Sequence, residues 1–206
     1  REQVPEAGCC GAREESCGDS VDIRRQAFEG NWMGGGSVLY RKSALDETGL
    51  FDEFYFAYCE DVDLSWRMKT RGWKIICAPD ALWYHHGAGR VIKANDRRLF
   101  LSLRNRLYLL LKFAGFTQMC RSLIRYARHL LLGRPEDSRR AAADDSSGRV
   151  YHSAKLRYAL RAVFEVGCAL PSLWVKRSRI RRRSRVSQEQ IDTWIRANDA
   201  YVTLNF

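Results

Sequence analysis

At 206 residues with 46% apolar content, the chain can bury a core, and one or two domains are expected. No uncharged run reaches the ~18–20 residues that span a bilayer, and no hydrophobic segment resembles a cleavable leader. The net charge of +11 hides an asymmetry: residues 1–96 hold 12 Lys and Arg against 16 Asp and Glu, and residues 97–206 hold 23 against 8, so the second region should seek polyanions.

Residues 1–29 are rich in Gly, Glu and Ser without periodicity and read as a loop or remnant. Cys9, Cys10 and Cys17 cluster there, but no CxxC spacing supports a metal site, and seven cysteines in all suit reduced thiols. Ser37–Tyr40 is a short apolar run of the kind that forms a buried strand. Ser43–Thr48 reads as a helix with Ser43 as N-cap and Gly49 as its stop. An aromatic loop, Phe51–Phe56, leads into a second helix at about 60–71, ended by Gly72, in which Val62 and Trp66, and Leu64 and Met68, pair at i,i+4. Trp73–Ala78 reads as a strand closed by Pro79, with another short strand at Ala81–Tyr84. From Asp96 the period is helical: Leu99, Leu103, Leu107, Leu110 and Leu111 recur among Arg97, Arg98, Arg104, Arg106 and Lys112. Helical patterns resume at about 119–132 and 154–168, separated by an exposed linker at about 133–148. A cationic run, Lys176–Arg185, precedes a polar helix at about 187–198.

Glu60 and Asp61 open a helix, where a carboxylate is favoured by the helix dipole and kept ionised. Asp61 is therefore a weak base, but one able to take a hydroxyl proton late in a transition state. Asp61-Val62-Asp63 has the letters of a D-x-D metal motif. On a helix, however, residues two apart face different sides, and Asp63 is expected to pair with Arg67 at i,i+4. His85 and His86 follow a strand and precede Gly87-Ala88-Gly89; one of them could reach a divalent ion on a diphosphate, while the plain reading is packing. Gly34-Gly35-Gly36 lacks the spacing of a dinucleotide or phosphate loop, leaving close approach by a sugar or a simple turn. The basic helices with Lys176, Arg177, Arg179, Arg181, Arg182, Arg183 and Arg185 favour an anionic membrane surface. Nucleic acid would attract the same charges, but no helix-turn-helix, zinc-finger or RNA-binding fingerprint accompanies them.

The order of these segments resembles the inverting family 2 glycosyltransferases, notably their rhamnosyltransferase-like branch. The matching residues are Gly34–Ser37, Arg41-Lys42, Gly49–Phe56, Glu60-Asp61-Val62-Asp63-Leu64-Ser65-Trp66-Arg67, Gly72 and Pro79–His85. The resemblance implies an α/β fold: the C-terminal half of a GT-A (nucleotide-diphospho-sugar transferase) fold at residues 30–96, then a basic, mainly helical extension at 97–206. It implies a nucleotide-diphosphate sugar donor, a glycan or lipid-linked acceptor, and Mg²⁺ or Mn²⁺ at the diphosphate, with His85 completing the metal site. Asp61 would be the general base, and Glu60 would orient it or shape the acceptor pocket. Trp32, Gly34 and Gly35 would line the sugars, and Arg41, Asp63 and Arg67 are counted with the substrate-binding set. The donor-binding half of such an enzyme, with its true D-x-D motif, has no counterpart in these 206 residues, so the chain alone should be inactive. The expected setting is cell-envelope glycan synthesis at the cytoplasmic face of the membrane. The alternatives are a non-catalytic relative, or a basic module that binds anionic lipid or nucleic acid.

Overall fold

The computed structural model describes residues 6–15, 28–84, 96–132 and 147–204. The chain forms two compact units, Arg1–Lys93 with Ile180–Ser187, and Ala94–Arg179 with Gln188–Phe206.

The first unit is α/β. Its sheet has the strand order β2-β4-β1-β3, where β1 is Ala7–Glu15, β2 Phe28–Glu29, β3 Val38–Tyr40 and β4 Lys74–Tyr84. β1 runs parallel to β4 and antiparallel to β3, and β2 is antiparallel to β4. The expectation of an irregular 1–29 is thus corrected: this segment supplies a central strand. Its glycines hid the strand and also explain its fit. A Cβ on Gly8 would sit 2.7 Å from Trp73 Cβ, and one on Gly11 would overlap the Met33 side chain. Small residues there let two large side chains lie across the strand.

Nor does Pro79 close a strand. β4 continues to Tyr84, and its pairing with β1 jumps from Ala12↔Ala78 to Arg13↔Leu82, leaving residues 79–81 as a bulge. A bulge is where a sheet tolerates a residue without an N–H.

Helix α1, Lys42–Thr48, starts one residue earlier than its sequence suggests, so Ser43 lies inside its first turn. Arg41 takes the capping position with no side-chain cap, and its carbonyl accepts the Ala44 and Leu45 N–H groups. Gly49 ends the helix at φ 84°, a conformation other residues rarely adopt. Helix α2, Glu60–Thr70, packs Leu64 and Met68 with Cys9, Ala44 and Ile75, ringed by Met33, Val38, Tyr40, Leu45 and Trp73. Burial in this core pushes the Cys9 thiol up to about 12, which makes it a packing group rather than a metal ligand. The turn 183–185 docks on the end of α2. The Arg185 N–H donates to Thr70 O at 2.7 Å, and its guanidinium reaches Arg71 O and Glu47. A cation there answers the unpaired carbonyls of the helix C-terminus.

The second unit is helical: α3 Asp96–Phe113, α4 Phe116–Leu132, α5 Ser147–Arg182 and α6 Gln188–Leu204. Leu99, Phe100, Leu101 and Leu103 of α3 pack with Ala159 and Ala162 of α5. Arg177 donates to the carbonyls of Leu111 and Ala114, and Gln188 donates to Phe113 O, so the end of α3 is capped from two directions. α5 runs 36 residues, far beyond the expected 154–168, because Lys and Arg extend helices well and Pro171 sits on its exposed side. Of the expected linker, 133–146 lies outside the described residues and Ser147-Gly148 opens α5.

Candidate active site

Helix α2 organises the site by gripping a different loop on each side. Asp61, Ser65 and Lys69 recur every four residues and so form one face. Each bonds the glycine-rich segment ahead of β3: Gly35 N–H donates to Asp61 Oδ2 at 3.1 Å, Met33 N–H to Ser65 Oγ at 3.3 Å, and Lys69 Nζ to Gly30 O and Asn31 Oδ1 at 3.3 Å. Burial lowers the Lys69 pKa.

The other side carries Asp63 and Arg67, which form the expected i,i+4 pair at 2.7 Å. Both are buried. The Arg67 guanidinium also donates to the carbonyls of Thr48, Gly49 and Leu50, while Tyr55 Oη donates to Asp63 Oδ1. This network fixes the loop between α1 and α2, and what it fixes is strained. Phe56, Tyr58 and Cys59 have φ of 61°, 70° and 69°, and non-glycine residues in this region cost of order 1–3 kcal/mol each. Cys59, the last of them, caps α2 and aims its first turn.

At that first turn Asp61 is half-buried. Its Oδ1 accepts the Val62 N–H at 2.8 Å, and its own backbone N–H acts on the carboxylate beside those of Val62 and Gly35. The dipole alone would hold this carboxyl low, but burial wins and raises it above the ordinary range, against the lowering by the N–H groups of Val62, Gly35 and Asp61 itself. Asp61 is therefore a better base than its place at a helix start suggests. Glu60 is raised as well, first by burial and then by the Asp61 charge. Its buried Oε2 has no hydrogen-bond partner among the described residues.

Tyr40 lies within electrostatic reach of both carboxyl groups and was not singled out from sequence. Its buried hydroxyl also lacks a partner among the described residues. Burial raises its pKa first, then the neighbouring Cys9, with Asp61 and Glu60 adding after it. In β3 Leu39 faces solvent and Tyr40 inward, but Val38-Leu39-Tyr40 is apolar throughout and carries no sequence signal of which side is which.

The remaining candidates separate into groups. Trp32 lies over Gly34, with its ring 3.7 Å from where a Cβ would stand, so Trp32, Gly34, Gly35 and Asp61 share one locale. Gly36 is sterically required, since a Cβ there would overlap the Trp83 ring. Arg41 is elsewhere: its Nε donates to Ala7 O at 2.7 Å and ties β3 to β1. Asp63 and Arg67 brace the loop from inside α2. His85 lies outside the described residues, and among the described residues no group of three His, Cys, Asp or Glu side chains could hold an ion. Of the cations, Arg177 and Arg185 have guanidiniums bonded within the protein, and Arg179, Arg181, Arg182, Arg183 and Arg185 are all exposed.

Residues 20–107 match the family model described as glycosyltransferase like family 2. The chain is also similar to the N-acetylglucosaminyl-diphospho-decaprenol L-rhamnosyltransferase of Mycobacterium tuberculosis, in strains CDC 1551 / Oshkosh and ATCC 25618 / H37Rv. Each match is 46% identical over 57 residues, covering 28% of this chain and 19% of the relative. No solved structure matches. The chain covers about a fifth of these relatives' length, and the family match spans α2 and both loops it grips: residues 20–107 carry the glycosyltransferase family 2 pattern.

Proposed function

We propose that residues 30–84 form the acceptor side of an inverting, nucleotide-sugar-dependent glycosyltransferase of GT-A type, with Asp61 as its general base. The observation that carries the reading is Asp61 itself: a carboxylate raised by burial and fixed by the Gly35 N–H beside a glycine-rich loop. An acceptor hydroxyl hydrogen-bonded to Asp61 loses its proton to that carboxylate. Its oxygen bonds to the anomeric carbon as the bond from that carbon to the nucleoside diphosphate breaks on the opposite face, and the anomeric configuration inverts. Glu60 and Tyr40 offer the buried polar atoms that orient the incoming hydroxyl. Trp32 and Gly34 line the sugar side, while Arg41, Asp63 and Arg67 serve by holding the frame.

The donor is a nucleoside-diphosphate sugar, with Mg²⁺ or Mn²⁺ as counter-ion of its diphosphate, and the acceptor is a lipid-linked glycan of cell-envelope synthesis. The relatives' names, which specify a diphospho-decaprenol acceptor and rhamnose, point the same way. The setting is the cytoplasmic face of the membrane, with the basic second unit against anionic lipid.

The test is nucleoside diphosphate release by the protein extended upstream to its full reading frame, across nucleotide sugars, with and without Mn²⁺. Asp61→Asn should lower turnover by about 10²–10⁴ and leave donor binding, read by calorimetry, unchanged. Preserved turnover in that variant would remove Asp61 from the role.

A further inference from the structure

Helix α5 divides lengthwise into three sectors. Ala159, Ala162, Val166 and Leu173 are buried, and the first two pack on α3. Arg157, Arg161 and Glu165 fall on a second, charged sector with Arg179; Arg161 and Arg104 both pair with Glu165. The third sector is apolar and open to solvent: Leu156, Leu160, Val163, Phe164, Leu170 and Trp174. These recur at steps of three, four and seven and so form one stripe over five turns. Leu160 is 64% exposed, and Phe164 and Trp174 are each 71% exposed. A continuous apolar stripe of this length is not ordinary surface.

Leu156–Arg182, 27 residues, is long and apolar enough to cross a membrane by length and composition. The buried sector argues against crossing, because one side of the helix is already occupied by the fold. The charged sector names the occupant of the open side. Arg157 and Arg179 flank the stripe near its two ends, and no Asp or Glu occurs from 166 to 188 while Lys and Arg crowd 176–185. A second copy docking by this stripe would bring like charges together. A bilayer would instead take the apolar residues at the level of its acyl chains and the arginines at its anionic headgroups. Trp174, beside the start of the cationic run, has the amphipathic ring that settles at that boundary.

We infer that α5 lies in the plane of an anionic bilayer with the stripe from Leu156 to Trp174 inserted, so that the chain holds the membrane by apolar insertion as well as by charge. The inference deepens the membrane contact proposed above and rests on it, yet the two fail differently.

The test is co-sedimentation of the 206-residue chain with phosphatidylcholine vesicles, with and without phosphatidylglycerol. The chain should bind the anionic vesicles, and a fraction should persist at about 0.5 M salt, where charge attraction is screened within a few ångströms. The triple variant Leu160→Ser, Phe164→Ser, Trp174→Ser should lose at least about tenfold in partitioning. Its circular dichroism and thermal midpoint should be unchanged, since all three side chains are exposed. Acyl-brominated lipid should quench a component of the tryptophan fluorescence that Trp174→Phe removes. Undiminished binding by the triple variant would overturn insertion and leave the charge contact standing. No binding by the unaltered chain would overturn both. A dimer in solution that the triple variant dissolves, without lipid binding, would assign the stripe to a second copy instead.

Discussion

Helices α2 and α5 invert each other. α2 is 11 residues long and polar, yet Asp63, Ser65, Arg67, Lys69 and Thr70 are all buried. α5 is 36 residues long and carries a stripe of large apolar side chains in the open. Hydrophobicity alone would sort the two the other way. In α2 polar burial is tolerated because Asp63, Ser65, Arg67 and Lys69 find partners on two loops and Thr70 bonds the Arg67 carbonyl, so the first four specify where those loops go. In α5 the large apolar groups stand exposed among the described residues, and on the membrane reading they specify what surrounds the chain. Buried polar and exposed apolar residues are the informative exceptions in both, one marking a scaffold and the other a surface.

Taking a partner out of α2 tests its scaffold role most severely. Arg67→Met leaves Asp63 buried without its cation and three loop carbonyls without their donor. Breaking one side of a buried pair costs about 3–5 kcal/mol, and urea unfolding followed by near-ultraviolet circular dichroism should show a loss of that size. Arg67→Lys should recover little, because an ammonium cannot fork to Asp63 and the carbonyls together. A loss comparable to that of an exposed substitution would mean that the loop does not depend on this network.

A smaller effect separates the glycines. Gly36→Ala must displace the Trp83 ring, with an expected destabilisation of about 1–3 kcal/mol. At Gly35 the nearest atoms to a Cβ are those of Asp61, at 3.8 and 4.0 Å, an ordinary contact. Gly35→Ala should therefore stay within about 0.5 kcal/mol in stability while narrowing the approach to Asp61. It is the variant that separates packing from access: unchanged acceptor KM in Gly35→Ala would show that this edge of the site is not used.

Much of this was legible in the sequence because it is local. The Asp63–Arg67 pair follows from i,i+4 spacing, and the helix ends at Gly49 and Gly72 follow from the conformations those positions adopt. Strand β1 was not legible. Gly8 and Gly11 look like loop residues until Trp73 and Met33, distant in sequence, are seen to need the space. The Pro79 bulge and the grip of Asp61, Ser65 and Lys69 on residues 30–35 are tertiary in the same sense. Tyr40 was hidden by being an aromatic on a strand, where packing is the default, until its hydroxyl was found buried near two carboxyl groups. The length of α5 was obscured by Pro171, which ordinarily ends a helix; on the exposed side it removes one N–H without displacing packed neighbours.

The smallest expected effect lies in Asp61 and carries the comparison to its chemical end. A buried group with complete partners should add stability, but Asp61 is held where burial raises its pKa above the ordinary carboxyl value of about 3.9. Below that pH it is protonated in folded and unfolded chains alike and contributes no pH dependence. As pH rises through the unfolded value and then the folded one, the unfolded chain releases its proton first. Stability therefore falls across that window and stays lower above it. Asp61→Asn cannot titrate, so between about pH 4 and pH 7 its urea midpoint should fall less steeply than that of the unaltered chain. Adding Glu60→Gln should flatten the profile further, because Glu60 is shifted the same way. Identical slopes in all three proteins would mean that neither carboxyl is perturbed, and the argument for Asp61 as an effective base would lose its physical ground. A measured difference would show α2 spending stability where a reactive carboxylate needs it, which is the trade expected of an active site and not of a frame.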